Sequence, residues 1–179
     1  LPTGARERGV IDRAVEWAQA GAADCILLAV PVGETEAVLR QLAPYLKPGA
    51  IVTDVGSTKA NVIDAARAAL GARFADFVPG HPIAGSEQSG PGAARADLFR
   101  GKRVVLTPQA DTRADAVTTV RALWETVGAQ VEVLDAVQHD RIFAAVSHLP
   151  HLAAYALVDD LARRADGDTF FRFAASGFR

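Results

Sequence analysis

Between residues 10 and 134 the chain alternates short apolar runs, bounded by Gly and Pro, with segments that are apolar at helical spacing. That alternation is the pattern of a mostly parallel sheet covered by helices, because parallel neighbours need a crossover and the crossover is usually a helix. Strands are expected at 25–30, 50–55, 103–107 and 130–134, with a shorter one at Phe77 and Val78. The run Cys25-Ile26-Leu27-Leu28-Ala29-Val30 has no polar break, as expected of a strand covered on both faces.

The helices between them bury predictable stripes. The first is expected to hold Val10, Ile11, Ala14, Val15 and Ala18 on one side. The second opens at Gly33 and buries Val38, Leu39 and Leu42; the third buries Val62, Ile63, Ala66 and Leu70. A fourth starts at Thr112, with Asp115 at capping-box spacing, and buries Val117, Val120, Leu123, Trp124 and Val127. After Asp135, itself spaced as a cap with Gln138, the strands stop and Ile142, Phe143, Val146, Leu149 and Leu152 continue at helical spacing. This places a boundary between 134 and 135, with an all-helical domain beyond it.

The 179 residues carry a formal net charge of -2, so no global basic field draws in nucleic acid or an anionic membrane surface. No apolar run is expected to reach the roughly 20 residues that span a bilayer. The start at Leu1-Pro2-Thr3 has neither a signal-peptide pattern nor an initiator Met, which predicts a cytoplasmic protein whose true beginning lies upstream. The single Cys25 reads as a small core side chain.

In an open parallel sheet, ligands bind where strand carboxyl ends meet helix amino termini. Three such ends carry unusual residues. Val30-Pro31-Val32-Gly33 ends its strand sharply, as a plain turn or as an approach to a flat ligand. In Asp54-Val55-Gly56-Ser57-Thr58-Lys59, Ser57 is either a helix cap or a hydroxyl at the mouth of the sheet. In Gly80-His81-Pro82-Ile83-Ala84-Gly85-Ser86-Glu87, the imidazole of His81 stands between Gly and Pro at a strand end, a position that favours catalysis. His148 and His151 are three apart, but no Cys or carboxylate stands close to complete a metal site, so none is expected and both read as lining a cleft between the domains. His139, beside Asp140 and Arg141, reads as part of a solvated helix face.

With these strings in hand, together with Phe99-Arg100-Gly101-Lys102 and Ser147-His148-Leu149-Pro150-His151, the chain resembles the prephenate dehydrogenase family, which includes arogenate and cyclohexadienyl dehydrogenases. The resemblance runs over essentially the whole chain. It implies a Rossmann-like dinucleotide-binding domain at 1–134, incomplete at its start, and a helical substrate and dimerisation domain at 135–179, incomplete at its end. It implies an oxidoreductase of tyrosine biosynthesis that converts prephenate to 4-hydroxyphenylpyruvate with hydride transfer to NAD, or arogenate with NADP. A homodimer with no nucleic-acid or membrane partner is implied too.

Residue by residue, the resemblance makes His81 the base for the ring hydroxyl of the substrate and Ser57 its hydrogen-bonding neighbour. His151 and His148, with Ser86 and Glu87, would border the substrate. Val30, Pro31, Val32, Gly56 and Ser57 would meet the cofactor. The glycine-rich phosphate loop and a carboxylate-binding arginine are expected outside these residues, and Arg179 in Gly177-Phe178-Arg179 is not that arginine. The alternatives are a β-hydroxyacid dehydrogenase, disfavoured because no lysine follows Lys102, and a non-catalytic ligand-binding relative, disfavoured because His81 and Ser57 are both present.

Overall fold

The computed structural model describes residues 3–85 and 90–175. By its internal contacts the chain divides into two units, Leu1–Asp140 and Arg141–Arg179.

The first unit is built on parallel strands β1 (Cys25–Leu28), β2 (Ile51–Asp54) and β3 (Phe77–Val78), hydrogen-bonded in that order. Register places Leu28 beside Asp54 and Thr53 beside Val78, so the carboxyl ends of the strands lie together. One residue, Pro79, separates β3 from β4 (Gly80–Pro82). β4 pairs antiparallel with β5 (Arg103–Leu106), which pairs parallel with β6 (Gln130–Val133). His81 therefore sits within a short strand, opposite Val105, rather than in a loop after one.

Alternation along the strands feeds two cores on opposite faces of the sheet. Val52 and Phe77 join Leu39 and Leu42 of α3 (Thr35–Leu42) and Val62, Ile63, Ala66 and Leu70 of α4 (Ala60–Leu70). Their neighbours Ile51 and Val78 face the other way, against Ala116, Val120 and Trp124 of α5 (Ala114–Thr126). Each fully buried aliphatic side chain contributes about 1.5–3 kcal/mol relative to exposure.

Four expectations change. The first helix is not continuous: the preceding segment forms α1 (Thr3–Glu7), and the expected stripe supplies only α2 (Trp17–Gly21). Gly9 has φ 67, a left-handed backbone that stops α1, and Val10, Ile11 and Val15 stay 44%, 37% and 41% exposed. Without a packed apolar face a short helix lacks most of its stabilisation. β1 is only partly covered on its second face: Cys25 packs against the core under α5, but Leu27 is half exposed beside an apolar hollow lined by Phe99, Leu123 and Trp124. The Thr112 hydroxyl accepts from the Gln109 N–H instead of capping α5, which starts two residues later.

The fourth concerns the apolar run after residue 135. Asp135 caps α6 (Ala136–Phe143), its carboxylate accepting from the Val137 and Gln138 N–H groups. A π-helical turn at Ala144–His148 then leads into α7 (Leu149–Ala162) and α8 (Gly167–Phe173). The wide turn follows from Pro150, which has no N–H to give the preceding turn and whose ring crowds its carbonyl. The Leu149 N–H reaches back to the Ala144 carbonyl. By length and composition alone, the helix from Ala136 to Ala162 is long and apolar enough to cross a membrane, although Asp140, Arg141 and His148 interrupt it and it is not one continuous apolar run.

Candidate active site

His81 is gripped through its backbone. The Asp54 carboxylate accepts from the Gly80 N–H at 3.0 Å and the Gly56 N–H at 2.8 Å, which ties the end of β2 to the residue before His81. Lys59 Nζ donates to the same carboxylate at 2.5 Å and to the Gly80 carbonyl at 2.7 Å. Lys59 is 0% exposed and Asp54 2%, so the pair is a buried ion pair, in which Nζ donates both to the carboxylate and to the Gly80 carbonyl. Burial pulls the Lys59 ammonium below its usual value, and the charges of Asp54 and Asp140 offset only part of that. A Cβ at Gly80 would lie 3.0 Å from the Asp54 carbonyl and 3.3 Å from Leu106, so only glycine lets β4 approach this closely.

The side chain of His81 is held as well. Its Nδ1 lies 2.8 Å from Nε2 of His139. Nδ1 of His139 lies 2.8 Å from Oδ1 of Asp140. Asp140 in turn accepts from the Lys59 N–H at 2.8 Å and the Ala60 N–H at 2.9 Å. The circuit closes, because the residue whose amide meets Asp140 is the one whose ammonium holds Gly80.

This overturns the reading of His139 as part of a solvated face: it is 0% exposed. The signal that could have found it is the pair His139-Asp140, placed four residues beyond the Asp135 cap, where one helical turn points it back at the strand ends. Burial works against the Asp140 carboxylate, but the Ala60 and Lys59 amides and His139 outweigh it and hold the carboxyl below its usual range. Asp140 also takes the capping position expected of Ser57. α4 starts after Lys59, and Ser57 stands exposed in the turn after β2.

At the end of β1, Pro31 is exposed with φ -52 and ψ 139, and leads into a single 3-10 turn at Val32–Glu34. Val30, Val32 and Gly56 are half-buried around it. An apolar lip with a hydroxyl beside it suits a flat ring bearing a polar substituent, so these residues fit a nicotinamide dinucleotide. Cys25 is half-buried, and burial pushes its thiol up, away from the reactive thiolate.

In the second unit His148 is half-buried in the π-helical turn, and His151 is exposed with its ring stacked on Tyr155 at 6.4 Å. Ser86 and Glu87 lie outside the described residues, as do Gly177, Phe178 and Arg179. Among the described residues no group of three or more His, Cys, Asp or Glu could hold a metal ion.

Residues 3–133 match the family model of the prephenate dehydrogenase nucleotide-binding domain, and residues 135–179 match that of the prephenate dehydrogenase dimerization domain. The chain belongs to the prephenate dehydrogenase family. Among prephenate dehydrogenase relatives, the cyclohexadienyl dehydrogenase of Zymomonas mobilis is 38% identical over 159 residues, 88% of this chain and 54% of that protein. The prephenate dehydrogenase of Lactococcus lactis is 38% identical over 180 residues, 98% of this chain and 48% of that protein. Of solved structures, prephenate dehydrogenase from A. aeolicus in complex with hydroxyphenyl propionate and NAD+ is 36% identical with a TM-score of 0.87, covering 97% of this chain and 61% of that one. Synechocystis arogenate dehydrogenase is 32% identical with a TM-score of 0.78, covering 97% and 63%. The chain spans about half the length of the curated relatives it matches. Its architecture is the Rossmann-like parallel sheet followed by helices that the resemblance implied.

Proposed function

We propose that this chain carries the base and the cofactor-facing strand ends of an enzyme that converts prephenate to 4-hydroxyphenylpyruvate with hydride transfer to NAD, in tyrosine biosynthesis. The observation that carries the reading is the imidazole of His81, fixed by backbone and side chain where the strands end. A base held by such a circuit loses little freedom when substrate arrives.

In this reaction His81 takes the proton of the ring hydroxyl as that carbon gives up its hydride and becomes a carbonyl. His81 must be uncharged to do so. The cofactor, when bound, supplies the hydride acceptor. The ring carboxylate then leaves as carbon dioxide, the electrons of the broken C–C bond enter the ring, and the oxygen takes back a proton to give the phenol. Ser57 is assigned a hydrogen bond near the same hydroxyl. Val30, Pro31, Val32 and Gly56 are assigned to the cofactor, and His151, His148, Ser86 and Glu87 to the substrate.

The names of the relatives support this reading, and the A. aeolicus complex with NAD+ supports NAD. The likeness to Synechocystis arogenate dehydrogenase supports arogenate as the substrate of a second reading, for which NADP is the proposed cofactor. Leu149, Leu152 and Tyr155 on α7 are 60%, 65% and 72% exposed, and the match to a dimerization domain favours a second copy of the chain as their cover over a bilayer. A cytoplasmic homodimer is therefore proposed. Incubating the protein with prephenate or arogenate and NAD or NADP, and following absorbance of the reduced nicotinamide, tests the reading. Turnover of neither substrate with either cofactor would remove it.

A further inference from the structure

We propose that His139 and Asp140 are positioning residues that fix His81 in the tautomer whose Nε2 is the bare, proton-accepting nitrogen. The inference rests on His81 acting as the base, and it follows from donor and acceptor bookkeeping along one chain of hydrogen bonds. An ionised carboxylate only accepts, so the 2.8 Å contact between Asp140 Oδ1 and His139 Nδ1 requires a proton on that nitrogen. With His139 neutral, its Nε2 then has a lone pair and no proton. The 2.8 Å contact from that atom to His81 Nδ1 therefore requires the proton to sit on His81 Nδ1. A neutral His81 has one ring proton, so its Nε2 is left as the base.

One observation supports each premise. Asp140 stays ionised because it accepts two backbone N–H groups at the start of α4 in addition to His139. His139 is 0% exposed, and burial disfavours a charged imidazole. Among the described residues, the charged groups tied to the pair include Asp140 on α6, Lys59 before α4, and Asp54 at the end of β2. Lys59 and Asp54 neutralise one another at 2.5 Å, and Asp140 is the carboxylate in direct contact with His139, at 2.8 Å. When His81 takes a proton at Nε2 it becomes a cation with Nδ1 still donating to His139, so the arrangement stabilises the charged form that the reaction creates. No proton needs to travel to Asp140.

Long-range nitrogen–proton NMR of the 15N-histidine-labelled chain near pH 8 reads the tautomer directly. The expected result is His81 protonated at Nδ1 and bare at Nε2. A wild-type His81 protonated at Nε2 overturns the inference without needing any variant. In His139→Leu, which removes the acceptor, His81 should move toward the other tautomer; in His139→Gln, whose side-chain oxygen accepts a hydrogen bond, it should largely stay. Equal tautomer populations in wild type and His139→Leu would sink the proposal. In turnover assays His139→Leu should lower kcat by roughly 10²-fold or more with KM little changed, as for a wrongly oriented catalytic imidazole, and His139→Gln should recover part of it. If His81→Asn leaves kcat intact, the reading of His81 as base fails instead, whatever the tautomer.

Discussion

His81 and His139 are 58 residues apart in the chain, yet their rings meet edge to face at 5.1 Å with a ring-nitrogen contact of 2.8 Å. The proposed base on β4 and the first turns of a helix after the last strand thus form one polar unit, and its behaviour can be measured from several sides.

His81→Asn in the protein assayed with prephenate and NAD should lower kcat by roughly 10²–10⁴-fold with modest change in KM, the usual size for a lost acid–base group. A kcat near wild type would take His81 out of the chemistry.

His151→Ala should act on KM rather than kcat, because the proposed role is to bind substrate. An unchanged KM dismisses that role.

Lys59→Met should destabilise the fold by about 3–5 kcal/mol, since it strips the counter-ion from a carboxylate that is 2% exposed. Urea unfolding followed by circular dichroism gives the number. A change under about 1 kcal/mol would mean that Asp54 is sustained by the Gly56 and Gly80 amides alone.

Asp140→Asn should flatten part of the acid limb of stability. The folded-state pKa of Asp140 lies below its unfolded value, about 3.9. Its contribution is therefore fully present above that value and is lost as pH falls through the lower, folded one. Stability measured between about pH 5 and pH 2 should fall less steeply in the variant than in wild type. Identical slopes would show that Asp140 does not couple folding to protons.

Leu39→Ala should cost about 2–5 kcal/mol, because Leu39 is 0% exposed at the centre of the core between α3, α4 and the sheet. Thermal unfolding reads the loss directly.

Much of the first unit was legible because burial leaves a periodic trace. Val62, Ile63, Ala66 and Leu70 repeat at the helical period and are buried as expected. Val10, Ile11 and Val15 repeat at the same period but stay exposed, since periodicity announces a face and says nothing of what covers it. The strand ends at Asp54 and His81 stood out through their Gly and Pro neighbours. His139 did not, because a polar residue flanked by charges looks the same in sequence whether it faces water or a second imidazole. Lys59 was hidden for a related reason: only the fold brings its ammonium to Gly80.

The amide of Gly80 points inward to a carboxylate that is itself sealed from water. Its proton should therefore exchange with solvent as slowly as those of the deepest strand amides, and the segment that presents His81 should open only when the entire sheet does. The proposed base, mounted this way, gives up its orientation and its domain's integrity in a single event, so heat should abolish the proposed activity and tertiary structure together.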